Sequence, residues 1–195
     1  AICPSGASTG TFEAFEKRDI NNKKYLGKSV FNAVNIVNTK ISKKLNGQSV
    51  HDQVRIDTLL INLDGTRQKT NLGANSMLAV SMAVKKLSAI IKKLPLYKTF
   101  FIKKNFQLPY PLMNIINGGA HADNDLRIQE FMIRPDCAKS FSEAMRVCFV
   151  VVKNLSTLIK NKGLSTSVGD EGGFAPMISS NNQALDLIVS AIKKS

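Results

Sequence analysis

Four polar segments interrupt the apolar patterns of this 195-residue chain, and they hold the residues best suited to chemistry. Ser5-Gly6-Ala7-Ser8-Thr9-Gly10 holds three hydroxyls and two glycines, which lets backbone and side-chain oxygens approach an anion or a hard cation; the competing reading is a plain turn. Asn117-Gly118-Gly119-Ala120-His121-Ala122 places one of two histidines behind a glycine pair, where the imidazole can move a proton or serve as a hydrogen-bonded structural group. Gln129-Glu130 opens the apolar stretch Phe131-Met132-Ile133, and a carboxylate beside a core is unfavourable unless it has a task or a partner. Gly169-Asp170-Glu171-Gly172-Gly173 sets two acids between glycines that leave them accessible. Paired carboxylates can deliver a proton to a leaving hydroxyl when their mutual repulsion keeps one of them protonated, whereas solvated turn acids are the plain alternative. His121, Asp123 and Asp125 alternate without a recognised metal-ligand spacing, and His51 beside Asp52 reads as structural.

Such groups need rigid elements to bring them together. Val30, Val34, Val37, Ile41 and Leu45 recur at helical spacing, which predicts a helix over 31–46. Ser49 or Asp52 can cap a second helix through Ile56 and Leu60 to Leu63, ended by Asp64-Gly65-Thr66. A third spans 74–94 through Met77, Val80, Val84, Leu87 and Ile91, with Pro95 beyond it. After about residue 105 the pattern changes. Short apolar runs at 112–116, 131–133 and 165–168 read as strands, and Met145, Cys148, Val152 and Leu155, then Leu185, Ile188 and Ile192, predict two helices. That order suggests parallel α/β packing, with the Asn117–His121 and Asp170-Glu171 segments on one rim of the sheet. A whole eight-stranded barrel needs roughly 250 residues, more than remain after Lys104.

The charge balance, 27 Lys+Arg against 14 Asp+Glu for a net +13, raises nucleic acid as a partner. The basic residues are mostly lysine doublets on the polar sides of helical repeats, tryptophan is absent, and no aromatic-basic stripe occurs, so specific nucleic-acid readout is not expected. Three widely spaced cysteines argue against a disulfide framework or a zinc site and for a reducing compartment. Apolar runs such as Val147–Val152 are far shorter than the roughly 18 residues of a membrane span. A soluble protein is expected. The opening Ala1-Ile2-Cys3-Pro4 and the amphipathic pattern running into Ser195 suggest a piece of a longer chain.

In order along the chain, Ser5-Gly6-Ala7-Ser8-Thr9-Gly10, Gly27-Lys28, Asp64-Gly65-Thr66, Gly73-Ala74-Asn75, Asn114-Ile115-Ile116-Asn117-Gly118-Gly119, His121-Ala122, Gln129-Glu130-Phe131-Met132-Ile133 and Gly169-Asp170-Glu171-Gly172-Gly173-Phe174-Ala175-Pro176 closely resemble the enolase family. The His121-Ala122-Asp123-Asn124 wording is nearer to its bacterial members. The resemblance implies an α/β fold: a truncated α+β N-terminal domain over 1–104, lacking its first strands, then the first part of an eight-stranded α/β barrel over 105–195. It implies a cytoplasmic, Mg²⁺-dependent lyase of glycolysis and gluconeogenesis, a homodimer or higher homo-oligomer, that reversibly dehydrates 2-phosphoglycerate to phosphoenolpyruvate with two Mg²⁺ per site. By motif, Ser8 would bind the second Mg²⁺ on a mobile loop, and His121 would lie near the phosphate and leaving group. Glu171 and Glu130 would act on the departing hydroxyl as general acid and partner, and Gln129 and Asp170 would shape the pocket. The proton-abstracting Lys and the carboxylates for the first Mg²⁺ would fall outside this chain, so the chain alone is expected to be inactive. Arg127, Arg134-Pro135-Asp136-Cys137 and the +13 charge depart from the family pattern. They leave room for a degenerate or moonlighting member acting as a binding protein, with secondary surface exposure. A related enzyme acting on a different acid is the third reading, and the Ser8, His121, Glu130 and Glu171 motifs speak against it.

Overall fold

A computed structural model describes residues 1–6, 8–100 and 106–195. Two compact units, Ala1–Lys104 and Asn105–Ser195, divide the chain. The junction between 104 and 105 lies outside the described residues.

In the first unit the described elements are helical. α1 (Phe31–Ile36) runs through a π turn (Val37–Ile41) into α2 (Ser42–Leu45), giving the continuous helix expected over 31–46. The π turn changes which residues face inward. Ile36 and Ile41, five apart, are both buried, while Val34 of the expected stripe is exposed, because a wider turn brings positions i and i+5 onto one face. Val30 has no side chain able to cap α1. Asp19 does so from upstream, its carboxylate accepting from the N–H groups of Phe31 and Asn32 at 2.7 and 3.1 Å. The Ser29 hydroxyl, then those two amides, hold Asp19 below the ordinary aspartate value.

α3 (Gln53–Asp64) is capped by Asp52, which accepts from Arg55 N, and ends at Gly65 in the left-handed region with φ 70°. α4 (Ala74–Ile91) packs on it, and Ile36, Ile41, Ile56, Leu60, Leu72 and Met77 form the core. Towards its C-terminus α4 buries Ser88 and Ala89 and leaves Leu87 and Ile91 largely exposed, since the small residues admit His51, whose Nδ1 lies 2.9 Å from Ser88 Oγ. By length and composition α4 could also cross a membrane. Lys85 and Lys86 on it, and its packing through Met77, Val80 and Val84, are equally features of a helix in a soluble core.

Asp64 is 1% exposed and ties the end of α3 to the next loop: it accepts from Leu72 N at 2.8 Å, from Thr66 N at 2.9 Å and from the Thr66 hydroxyl. Burial pushes its carboxyl up, but these donors and Lys69 outweigh it and hold it below the ordinary 3.8. A lowered value in the folded state favours folding at neutral pH, and this contribution is lost as pH falls through that value. Asp64→Asn should therefore destabilise the protein by about 2 kcal/mol at neutral pH and flatten the acid limb of its stability curve. Chemical denaturation at several pH values checks this, and parallel curves for parent and variant would contradict it.

In the second unit β1 (Met113–Asn117) and β2 (Glu130–Ile133) pair antiparallel, with Asn114 opposite Met132 and Asn117 opposite Glu130. This corrects the expectation of parallel packing for these strands. The connection over 118–129 contains only a short 3₁₀ turn, Gly119–His121, and lacks the crossover helix that usually joins consecutive parallel strands. The expected strand at 165–168 is reduced to a bridge between Val168 and Phe174, and Phe174 makes a parallel bridge to Ile116. α5 (Phe141–Asn161), capped by Ser140, and α6 (Asn181–Lys193) cover the strands, burying Ile115, Ile116, Phe131, Cys148, Leu155 and Ile188 among others. Burial pushes the Cys148 thiol up, which keeps it an unreactive core residue.

Candidate active site

The antiparallel register decides where the acid on β2 goes. Glu130 begins β2 directly opposite Asn117, the last residue of β1, so its carboxylate emerges at the same sheet end as the loop that follows β1. That loop turns at Gly118-Gly119 and buries His121 to 3% exposure. The segment after Val168 folds over the same end. Asp170 N donates to His121 O at 2.9 Å, Gly173 N to Asn117 Oδ1 at 2.8 Å and Phe174 N to Ile115 O at 2.9 Å, which brings Glu171 over β1.

His121 Nδ1 consequently stands 3.3 Å from Glu130 Oε1 and 3.3 Å from Glu171 Oε2. The imidazole is buried and the two carboxylates are partly open to solvent, at 32% and 41% side-chain exposure. One atom from each of the three lies within 4.8 Å of the others, a spacing that suits a shared proton or a single divalent ion. Two carboxylates facing one nitrogen from either side can stabilise an imidazolium, and a nearby acceptor can draw a proton from the set.

The structure brings together His121, Glu130 and Glu171. Asp170 enters through its backbone, and its side chain is exposed. Gln129 lies over the turn, where a Cβ on Gly119 would come 2.9 Å from its Cγ, and its carbonyl accepts from Gly118 N at 3.0 Å. Asp123 and Asp125 lie outside the cluster. Ser8 belongs to the first unit, beside a cavity of about 650 Å³ lined by Ser8, Thr9, Glu13, Glu16 and Asn75 among others. Glu13 accepts from Gly10 N at 2.8 Å, and Glu16 accepts from Ser5 Oγ at 2.8 Å and pairs with Arg18.

Three asparagines escaped the search for chemical groups. Asn117 is fully buried: Oδ1 accepts from Gly173 N, Nδ2 donates to Gln129 O at 3.3 Å, and its carbonyl accepts from Asn124 Nδ2 at 3.0 Å. It thus joins the strand to the loops carrying Glu130 and Glu171. Asn114 Nδ2 donates to Glu171 Oε2 at 3.3 Å. An amide inside the otherwise apolar run Met113–Ile116 was the available signal. Close approach also fixes Gly173, where a Cβ would stand 2.8 Å from Asn117 Oδ1 and 3.0 Å from Ile116 backbone atoms.

A helical unit is thus followed by a strand-and-helix unit that carries a His-Glu-Glu cluster at the sheet end. Residues 1–100 match the model of the enolase N-terminal domain and residues 105–195 that of the enolase C-terminal TIM barrel domain, so the chain belongs to the enolase family. A protein described as enolase from Pelagibacter ubique (strain HTCC1062) is 80% identical over all 195 residues, which span 47% of that relative's length.

Proposed function

We propose that the complete protein to which this chain belongs is a phosphopyruvate hydratase, converting 2-phosphoglycerate to phosphoenolpyruvate and water and the reverse. The observation that carries the reading is the convergence of His121, Glu130 and Glu171 at one sheet end. Glu171, the more open carboxylate, donates its proton to the leaving C3 hydroxyl. The C3–O bond breaks, the electron pair left on C2 by loss of its proton becomes the C2–C3 double bond, and water departs. Glu130 and His121 hold the carboxylate in place and exchange the proton with it. Gln129 and Asp170 border the pocket. The base that takes the C2 proton is expected in the part of the relative's length that this chain does not span. The same holds for the ligands of the first Mg²⁺.

The residues around Ser8 fit the second Mg²⁺, because the hydroxyls of Ser8 and Thr9 and the Glu13 carboxylate in that lining are oxygen donors of the kind a hard cation takes, although Arg18, paired with Glu16, and Cys3 share the lining. Ser8 would hold the ion through its hydroxyl. When bound, such ions stabilise the negative charge that develops on the substrate carboxylate. In the complete protein Ser8→Ala should raise the Mg²⁺ concentration needed for half-maximal turnover by about tenfold with an unchanged melting temperature. A lower melting temperature with normal Mg²⁺ dependence would instead make the segment a structural turn.

The domain boundary at 104/105, a homodimeric state and a cytoplasmic location belong to the same reading, supported by the family. The intact cluster argues against a degenerate, purely binding role. Phosphoenolpyruvate absorbance with 2-phosphoglycerate and Mg²⁺, lost on chelation and regained on adding Mg²⁺, tests the function. A purified complete protein that produces none would overturn it.

A further inference from the structure

Glu171 is held through one oxygen. Both His121 Nδ1 and Asn114 Nδ2 lie 3.3 Å from Oε2, and the side chain is 41% exposed. Asn114 is the second residue of β1, opposite Met132, beside the shift in register between Asn114 and Ile116. Its other amide atom, Oδ1, is buried with no hydrogen-bond partner among the described residues. A half-buried amide whose buried oxygen is unsatisfied and whose nitrogen faces a carboxylate is an unusual use of a strand position that could hold an apolar residue.

We propose that Asn114 is a positioning residue for Glu171 that serves both of its protonation states. The amide N–H donates to the carboxylate after proton transfer. Before transfer the acid proton is on Oε1, and Oε2, then the carbonyl oxygen of the acid, accepts from the same N–H. In either state Oε2 is engaged and Oε1 faces the reacting hydroxyl. The inference rests on Glu171 being the proton donor to that hydroxyl.

The test uses the complete protein and two readouts, overall turnover and solvent-deuterium exchange at C2 of 2-phosphoglycerate, with thermal melting alongside. Asn114→Leu keeps the shape and removes both polar functions, and should reduce turnover about tenfold while C2 exchange stays within about twofold of the parent. Asn114→Asp, which sets a second carboxylate against Glu171, should reduce turnover at least as far, again sparing exchange. Asn114→Gln retains an amide and should recover part of the loss. If Asn114→Leu fails to fold, the Asp and Gln variants are read by the same criterion. Turnover and exchange falling together, or neither falling, would overturn the inference. A Glu171→Gln variant that keeps full turnover would overturn the reading beneath it, a result distinct from a failure at Asn114 alone.

Discussion

Glu171→Gln in the complete protein should lower overall turnover by about a thousandfold and leave deuterium exchange at C2 of 2-phosphoglycerate close to the parent rate. The amide preserves shape and can still accept from Asn114, but has no proton of suitable acidity to give a departing hydroxyl. Exchange at C2 needs only the separate base, so the two steps come apart. The structure makes the substitution mild in other respects: the side chain is 41% exposed and belongs to no hydrophobic cluster, so melting should stay within a few degrees. Equal loss of turnover and exchange would sink the assignment and shift Glu171 to binding or to Mg²⁺ retention.

Asn117→Leu should act in the opposite way, through stability. It removes the acceptor for the buried Gly173 N–H and the donor to Gln129 O in a partly buried setting. Gln129 O keeps its bond from Gly118 N, so the loss is that of one buried N–H left without a partner, about 1–3 kcal/mol, enough to lower the melting temperature by roughly 5 °C. Because the loops carrying His121, Glu130 and Glu171 are all tied to this residue, C2 exchange and turnover should fall together. Asn124→Ala, which removes the bonds to Asn117 O and Pro176 O and the acceptor for Leu126 N, should cost about 2 kcal/mol. Melting of Asn117→Leu at the parent temperature would show that the loops are held by other contacts.

Much of this was legible from residue types. The helices over 53–64, 74–91, 141–161 and 181–193 follow from apolar spacing, caps and stops, which are local properties of sequence. The inward face of α1–α2 was not, because a π turn shifts the register and leaves no mark in a three-four repeat. The strand direction was also misread. Short apolar runs carry no information about pairing, and the decisive fact was negative, a 118–129 connection without a crossover helix. At the site, glycines beside acids and histidine singled out His121, Glu130 and Glu171. Asn114 and Asn117 were hidden because their work depends on partners 12 to 57 positions away, visible only once the loops are folded together.

The pairing of Asn117 with Glu130 also bears on the order of assembly. Joining those two positions closes a loop of about a dozen residues, and short loops lose little entropy on closure and form quickly. His121 lies inside that loop, so the imidazole and its first carboxylate belong to a single local hairpin. Glu171 comes from beyond α5, across a far greater sequence distance, and the bonds that seat it, from Gly173 to Asn117 and from Asp170 to His121, have nothing to grip until the hairpin exists. During synthesis His121 and Glu130 can therefore be in place before Glu171 arrives.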